Sequence, residues 1–284
     1  MRIKAQAKIN WTLDIVGQRE DGYHLMDMLM QPLALCDEMT LTEAPGLSMA
    51  VSGAALSCGE DNLVLRAARK MAEISGHPAN FRIELRKNIP MGAGLGGGSA
   101  DAAAVLKALN EYWRLGLSLP ALCDIGLTLG ADVPFCVMDA PMRTRGIGEL
   151  LTPISVGRCF PLVLVQPCEA LSTKEVFAGY HAAPPNRPDT EACISALEKG
   201  DLAAMKRFGG NVLEPVSCAK RPALTAAKER LYQSGAAFAQ MTGSGSVVFG
   251  AFERDEDAFR ACRALQKEYP VCLLTHTVTS SPIE

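Results

Sequence analysis

A glycine-rich run between Pro90 and Asp101 is the stretch whose residue types and spacing are best suited to chemistry. Five of the seven residues from Gly92 to Gly98 are glycines, which can adopt positive φ and let backbone N–H groups approach a ligand with no Cβ in the way. Apolar residues then repeat at helical spacing from Ala102 to Trp113, and Ser99 is placed to act as the N-cap. Because a helix start offers unpaired N–H groups and partial positive charge, the run predicts an anion site suited to phosphate.

Three well-known glycine motifs do not account for this run. Its glycines fit the dinucleotide pattern G-x-G-x-x-G from Gly92 onward, but the region about 20 residues further on, 116–120, holds no acidic residue. Gly98-Ser99 lacks the lysine of a Walker A loop, and the HRD and DFG motifs of protein kinases do not occur. The remaining alternative is a glycine run that only makes a tight turn, and the capped helix behind it favours phosphate binding instead.

The composition limits the classes of function. The 284 residues are 48% hydrophobic and 21% charged, and the formal net charge is −3 with no block of lysine or arginine. We therefore expect no nucleic-acid partner and no membrane-surface partner. No apolar run approaches the ~18 residues of a membrane span, and the start has no signal-peptide core. We expect a cytoplasmic protein with one large or two ordinary domains.

The cysteines and histidines do not predict a metal site or a disulfide framework. The ten cysteines are scattered without a C-x-x-C pair, and most have apolar neighbours. This pattern is typical of reduced, buried thiols. The four histidines show no ligand spacing either.

The elements that flank the glycine run follow from periodicity. Phe81 to Arg86 alternates apolar and charged residues, which predicts a half-exposed strand leading into the run. Asn62 to Ile74 predicts a helix that ends before Gly76, and Leu119 to Leu129 predicts a second helix after the run. Asp132 is then expected in a helix-to-strand turn, where an aspartate commonly forms only local hydrogen bonds.

The first 24 residues hold three further candidates, each with an ordinary structural explanation. Ile3 to Leu13 is strand-like and carries Lys8, and a lysine in a strand usually points at solvent. Asp21-Gly22 signals a turn just before Tyr23 and His24. On their own, these two residues are best explained as a half-buried tyrosine and a surface histidine.

The second half of the chain has a different order of elements. A buried-type strand, helices, a hairpin, a helix and a last strand are predicted in turn, at 161–166, 172–231, 237–251, 255–267 and 271–278. This order resembles a split βαβ sandwich. The change of pattern predicts a domain boundary that divides the chain into residues 1–155 and 156–284.

Three separated motifs give the chain a resemblance to a known family. Ala7-Lys8-Ile9-Asn10, Pro90 to Ala102 and Met241 to Gly250 occur in the order and at roughly the spacing of the GHMP kinases. That superfamily includes galactokinase, homoserine kinase and mevalonate kinase. Further matching residues are Asp21-Gly22-Tyr23-His24, Asn62-Leu63 and Leu129-Gly130-Ala131-Asp132-Val133-Pro134.

The resemblance spans nearly the whole chain and implies both a fold and an activity. The implied fold is α+β, with an N-terminal ribosomal-protein-S5-like domain and a C-terminal ferredoxin-like split βαβ domain. Within the superfamily, the chain is similar to members that act on a cytidine-diphosphate-linked methylerythritol in the non-mevalonate isoprenoid pathway. The implied reaction transfers the ATP γ-phosphoryl group to the 2-hydroxyl of that substrate with Mg²⁺, in a monomer or homodimer.

The resemblance also implies roles for individual residues. Asp132 would be the base that accepts the hydroxyl proton, and Lys8 would keep Asp132 ionised and offset developing charge. Tyr23 and His24 would hold the cytosine by stacking and hydrogen bonds, with Asn10 and Thr173 near the substrate. The implied ATP-binding residues are Asn62, Pro90, Met91, Gly92, Ala93, Gly94, Leu95, Gly96, Gly97, Gly98, Ser99 and Ala100. The Mg²⁺ ligands stay open, with the Ser99 hydroxyl as a candidate.

The sequence leaves two alternatives open. Another GHMP small-molecule kinase, of the homoserine or mevalonate type, would keep the glycine run but would have no reason for a cytosine clamp at Tyr23 and His24. A catalytically inactive nucleotide-binding regulatory module on the same fold is the second alternative. The presence of Lys8 and Asp132 argues against it.

Overall fold

The computed structural model describes residues 1–180 and 187–279. The chain forms two compact units, each built from separate segments of the sequence. Unit 1 consists of Met1–Ala7, Leu35–Ile89 and Gly96–Asp139. Unit 2 consists of Lys8–Ala34, Pro90–Leu95 and the chain from Ala140 onward. The predicted division at residue 155 stays a prediction.

The secondary structure is mixed in both units. The strands are β1 (Arg2–Gln18), β2 (His24–Glu43), β3 (Ser48–Ser52), β4 (Phe81–Arg86), β5 (Met142–Gly146), β6 (Leu150–Pro153), β7 (Pro161–Gln166), β8 (Gly210–Asn211), β9 (Phe238–Met241), β10 (Val248–Ala251) and β11 (Val271–His276). The helices are α1 (Leu63–Ser75), α2 (Gly97–Tyr112), α3 (Leu119–Leu127), α4 (Val133–Met138), α5 (Thr173–Ala178), α6 (Thr190–Lys199), α7 (Leu202–Phe208), α8 (Glu214–Lys220), α9 (Ala223–Gln233) and α10 (Asp255–Leu265).

In unit 1, β4 is the strand that leads toward the glycine run. It pairs antiparallel with the second half of β2 and parallel with β3. Its alternation buries Phe81, Ile83 and Leu85 on one face, as the sequence predicts. Burying each such side chain contributes about 1.5 to 3 kcal/mol, so the alternation itself fixes which face of β4 meets the core. Helix α1 is also confirmed, with Asn62 as its N-cap and Gly76 as a left-handed C-cap.

In unit 2, a four-stranded antiparallel sheet has the order β11-β7-β10-β9. Trp11 on β1 is fully buried and packs edge-on against Phe160 and Phe249, with ring centroids 5.9 and 5.4 Å away. Its indole N–H donates to Gln31 Oε1 at 2.7 Å. Because aromatic packing and a satisfied indole hold Trp11 in one position, the β1 residues just before it, including Lys8 and Asn10, are held as well.

The ten cysteines differ widely in burial. All ten cysteines are free, and burial raises the pKa of the Cys193 thiol to about 12. The buried thiols that the sequence predicts account for four of the ten, Cys136, Cys193, Cys262 and Cys272, whereas Cys58 and Cys159 are exposed. Within residues 1–180 and 187–279, none of the helices is both long and apolar enough to cross a membrane.

Candidate active site

The first part of the glycine run, Pro90–Leu95, belongs to unit 2 and packs against the loop that joins β9 to β10. Gly94 has φ +72°, and a Cβ built on it would lie 2.1 Å from the carbonyl oxygen of Thr242. The N–H of Val247 donates to the carbonyl of Ala93 at 3.2 Å. A side chain at position 94 would open this contact, so the glycine is required by both its conformation and the close approach.

The second part of the run begins α2 in unit 1. The N-cap is Gly96, with φ +71°, and α2 already includes Gly97 and Gly98. The expectation that Ser99 is the N-cap is therefore wrong, because the left-handed Gly96 starts the helix three residues earlier. The first helical hydrogen bond runs from the N–H of Ala100 to the carbonyl of Gly96 at 2.9 Å. The first-turn N–H groups that a helix leaves for an anion thus belong to Gly97, Gly98 and Ser99.

Lys8 lies on β1 with only 4% of its surface exposed, which the ordinary pattern of strand lysines does not predict. Its backbone N–H donates to the carbonyl of Leu95 at 3.0 Å, and its ammonium Nζ donates to Asn10 Oδ1 at 2.9 Å. A buried ammonium needs such partners to offset the loss of water. Lys8 is thus held in register with the end of the Pro90–Leu95 segment.

Asn10 is expected from the resemblance to lie near the substrate, and its side chain is fully buried. Its Oδ1 accepts hydrogen bonds from Lys8 and from the N–H of Gly243 at 3.1 Å. In this structure the carboxamide is a partner of Lys8 and of the β9–β10 loop. Its contact with substrate stays a prediction.

Asp132 belongs to unit 1 and stands at the N-cap of α4, half-buried. The expected helix-to-strand turn is wrong, because Val133-Pro134-Phe135 begins a helix. Proline is tolerated in a first helical turn, where its missing N–H has no partner to lose. Two residues earlier, a Cβ built on Gly130 would lie 4.0 Å from Ser99 Oγ, so the turn that carries Asp132 lies close to the start of α2. The cooperation of Asp132 with Lys8 stays a prediction.

Tyr23 and His24 lie where the β1–β2 hairpin enters β2. Tyr23 is 60% exposed, and His24 is half-buried. The His24 ring stacks on Phe177 of α5 with centroids 5.3 Å apart and planes inclined by 28°, and Tyr180 meets it edge-on at 6.3 Å. The sequence did not point to Phe177 of α5 or to Tyr180, which lies two residues after the end of that helix.

Thr173 and Asn62 both have local structural roles. The hydroxyl of Thr173, the first residue of α5, shares a hydrogen bond with Ser244 Oγ at 2.9 Å. Asn62 Oδ1 accepts the N–H of Val64 at 2.9 Å as the N-cap of α1, and its Nδ2 donates to the carbonyl of Ser57 at 2.8 Å. Their predicted contacts with substrate and nucleotide stay predictions.

Comparison with known proteins identifies the family. Residues 62–140 match the family described as GHMP kinases N terminal domain, and residues 193–271 match GHMP kinases C terminal. The chain is 42% identical to the 4-diphosphocytidyl-2-C-methyl-D-erythritol kinase of Pelotomaculum thermopropionicum over 276 residues, which cover 96% of each chain. It is 40% identical to the protein of the same name from Moorella thermoacetica over 283 residues, covering 98% of this chain and 99% of that one.

The chain belongs to the 4-diphosphocytidyl-2-C-methyl-D-erythritol kinase family of GHMP kinases. This membership confirms the predicted resemblance, the α+β fold class and the class of enzyme, a small-molecule kinase. A crystal structure of 4-(cytidine 5'-diphospho)-2C-methyl-D-erythritol kinase matches with a TM-score of 0.85 and 33% identity, covering 99% of this chain and all of that one. A homoserine kinase from Cytophaga hutchinsonii matches with a TM-score of 0.70 at 18% identity, over 98% of this chain and 95% of that one, and shares the fold alone.

One charged cluster of this GHMP kinase escaped the sequence analysis because its members are far apart in the chain. Lys87, just after β4, forms buried ion pairs with Asp37 of β2 and with Asp101 of α2, the latter at 2.8 Å. Asp37 also accepts the N–H groups of Asn88 at 2.6 Å and Ile89 at 2.8 Å. The cluster therefore joins β2, the end of β4 and the second turn of α2 within unit 1.

The charges of this cluster do not balance, and its pKa values reflect that. Burial, with a smaller effect from the Asp37 carboxylate, raises the pKa of Asp101 to about 7, although Lys87 opposes the change. Burial alone would lower the pKa of Lys87, but the two carboxylates raise it above its ordinary value. A single ammonium thus serves two buried carboxyl groups, and one of the two is placed to hold a proton near neutral pH.

Proposed function

We propose that this chain phosphorylates the 2-hydroxyl of 4-diphosphocytidyl-2-C-methyl-D-erythritol with ATP, giving the 2-phosphate and ADP in the non-mevalonate isoprenoid precursor pathway. The observation that carries the proposal is the 42% identity, over nearly the whole of both chains, to a protein of that name. The full-length match to a solved structure of the same kinase supports it. The cytoplasmic location and the monomer or homodimer state stay predictions.

Phosphoryl transfer asks a protein mainly to position reactants and to stabilise spread negative charge. The start of α2 supports this role. Gly97 and Gly98 lie in its first turn, and because glycine has no side chain, their N–H groups are not shielded from a ligand. The helix dipole adds partial positive charge at the same end. We assign the triphosphate of ATP to these donors and to the preceding Pro90–Leu95 segment.

The acceptor hydroxyl must lose its proton during the transfer, and Asp132 is the carboxylate that we assign to this step. Its position at the N-cap of α4, in a turn next to Ser99, supports the assignment. The Lys8 ammonium would offset negative charge that develops on the transferred group. Its burial and its bond to Asn10 support a fixed position rather than a mobile surface charge.

The cytosine base needs an aromatic surface and hydrogen-bonding groups. Tyr23 and His24 offer both, and the stacking of His24 on Phe177 supports a larger aromatic surface than the sequence predicts. Stacking of one base on an aromatic side chain is worth about 1 to 3 kcal/mol. This surface would bind the cytidylylated substrate in preference to smaller alcohols such as homoserine or mevalonate.

Mg²⁺ would enter with ATP. In the described part of the chain, no group of three or more His, Cys, Asp or Glu side chains could hold a metal ion. This fits Mg²⁺, which is usually bound by substrate phosphates, waters and one or two protein oxygens. The Ser99 hydroxyl in the first turn of α2 is the protein oxygen that we propose. When bound, the ion would neutralise part of the triphosphate charge.

The test is turnover of ATP with the cytidylylated methylerythritol compared with homoserine and mevalonate. We expect turnover with the first substrate to exceed the others by orders of magnitude, and equal or better turnover with homoserine would refute the substrate assignment. Asp132→Asn tests the base, because it should retain ATP binding by calorimetry while kcat falls about 10² to 10⁴-fold. Near-normal kcat in this variant would refute the role of Asp132, and absence of turnover in the wild type would favour an inactive nucleotide-binding module.

A further inference from the structure

We infer that Thr242 is a positioning residue for Lys8, acting through Asn10, and that the same hydroxyl ties Lys8 to the Pro90–Leu95 segment. The inference deepens the proposed function, on which it rests, because there Lys8 offsets the charge of the transferred phosphoryl group. Thr242 follows β9 and is fully buried.

The first step is the orientation of the Asn10 carboxamide. The Lys8 ammonium and the Gly243 N–H can only donate hydrogen bonds, and both point at the same atom, Asn10 Oδ1, at 2.9 and 3.1 Å. The oxygen must therefore face them, and Nδ2 faces the Met28 sulfur at 3.5 Å. Any movement of Asn10 would move the oxygen that holds the Lys8 ammonium.

The second step is the hydroxyl that holds Asn10. Thr242 Oγ1 accepts the backbone N–H of Asn10 at 3.2 Å. The same oxygen lies 3.3 Å from Asn10 Oδ1 and 3.2 Å from the carbonyl oxygen of Gly94, and its single proton can serve one of them. Since Asn10 Oδ1 already accepts two hydrogen bonds, the Gly94 carbonyl is the better acceptor. The Thr242 hydroxyl thus forms hydrogen bonds both to β1 and to the Pro90–Leu95 segment.

The third step is the support of Thr242 itself. Asn211 of β8 donates from Nδ2 to the carbonyls of Met241 at 2.9 Å and Gly243 at 2.7 Å, on both sides of Thr242. The backbone at Thr242 is therefore fixed independently of its side chain. Removal of the hydroxyl should leave the loop in place, with the Gly243 N–H still bonded to Asn10 Oδ1, and shift the Asn10 backbone, because its N–H would then be buried without its partner.

The experiment compares Thr242→Val, which removes the hydroxyl at similar size, with Thr242→Ser, which keeps it. We expect kcat to fall about 10 to 100-fold in Thr242→Val, since a misplacement of about 1 Å in an active site can cost about 100-fold, and to return close to wild type in Thr242→Ser. The control is Thr12→Val on the same strand. Thr12 is also fully buried, and its hydroxyl accepts the N–H of Leu29 at 2.9 Å and bonds with Thr190 at 3.1 Å.

Thr12→Val should lose as much stability as Thr242→Val by urea unfolding but keep wild-type kcat. If Thr242→Val does not fold, Thr242→Cys replaces it, and its kcat should fall about 3 to 10-fold, because a thiol is a weaker hydrogen-bonding group than a hydroxyl. Near wild-type kcat in Thr242→Val, or in Thr242→Cys where it replaces Thr242→Val, would overturn the inference, and so would equal losses of kcat in Thr242→Val and Thr12→Val.

A double-mutant cycle with Lys8→Met separates positioning from general structural support. If Thr242 acts through Lys8, then Thr242→Val should reduce kcat less than twofold in the Lys8→Met background, and an undiminished loss there would overturn the inference. The NMR signal of the Lys8 ε-methylene group, assigned by its absence in Lys8→Met, provides a measurement without turnover. It should shift in Thr242→Val and not in Thr12→Val, so a failure of the proposed substrate would still leave the positioning of Lys8 testable, and an unshifted signal would refute it.

Discussion

The buried cluster of Lys87, Asp37 and Asp101 predicts that this protein loses stability as the pH rises through neutrality. Asp37 accepts hydrogen bonds from Lys87 and from two backbone N–H groups, whereas Asp101 accepts one from Lys87 at Oδ2. In the described residues, Asp101 Oδ1 is buried with no hydrogen-bond partner. Asp101 is therefore the carboxyl that takes the proton, and burial together with the Asp37 charge raises its pKa from 3.8 to about 7.

The sign and size of the effect follow from proton linkage. Between pH 3.8 and about 7 the folded protein holds a proton on Asp101 that the unfolded chain has released, so the free energy of unfolding falls as the pH rises. Between pH 5 and 8 the loss amounts to about 2 to 3 kcal/mol. The raised pKa of Lys87 does not act in this window, because its stabilising contribution is lost only above its ordinary value of 10.5.

Urea unfolding of the wild type and of Asp101→Asn at pH 5, 6, 7 and 8 measures this loss. The asparagine variant lacks the titrating carboxyl. Between pH 5 and 8 its unfolding free energy should therefore fall by about 2 to 3 kcal/mol less than that of the wild type. Asp257→Asn is the control, because hydrogen bonds from Arg254 lower the pKa of Asp257 from its ordinary value of 3.8, so this carboxyl does not titrate between pH 5 and 8. Parallel pH dependences for the wild type and Asp101→Asn would refute the assignment of the proton to Asp101.

Two further predictions test the glycine segment and the base-binding surface. Gly94→Ala should destabilise the protein by at least about 1 kcal/mol more than Gly116→Ala in thermal unfolding, since both have positive φ but only Gly94 contacts a backbone carbonyl. Equal losses of stability in the two variants would refute the additional cost assigned to the close approach at position 94. Tyr23→Ala should raise KM for the cytidylylated substrate about 5 to 150-fold and leave KM for ATP unchanged, whereas Tyr112→Ala, which removes another exposed tyrosine, should change neither. An unchanged KM for the cytidylylated substrate in Tyr23→Ala would refute the role of Tyr23 in binding cytosine.

Elements with strong local patterns could be predicted from the sequence. The alternation of β4 and the caps of α1 are local, and both elements lie where expected, at Phe81–Arg86 and Leu63–Ser75. The start of α2 was misplaced, and the residues of α4 were expected to lead into a strand, because glycine and proline at a helix start also signal turns. Gly96 begins α2 in a left-handed conformation, and Pro134 lies in the first turn of α4.

The parts of the site that escaped prediction depend on contacts between distant residues. Lys87 and Asp37 are 50 residues apart, and His24 meets Phe177 only after the chain has folded. The same holds for the burial of Lys8, since a lysine on an alternating strand normally faces water. Its partner Asn10 is two residues away, but the hydroxyl that holds Asn10 comes from Thr242, 232 residues further on.

In unit 2, the Pro90–Leu95 segment and the loop between β9 and β10 pack backbone against backbone. A Cβ on Gly94 would meet the Thr242 carbonyl at 2.1 Å, and a Cβ on Gly243 would meet the Gly94 carbonyl at 3.0 Å. Each glycine is therefore required by the backbone of the other motif, in addition to its own positive φ of +72° or +57°. Because the contact is reciprocal and Thr242 lies within it, a side chain at either glycine would also displace the hydroxyl that holds Asn10. The shape of the Pro90–Leu95 segment and the position of the Lys8 ammonium thus depend on the same few atoms.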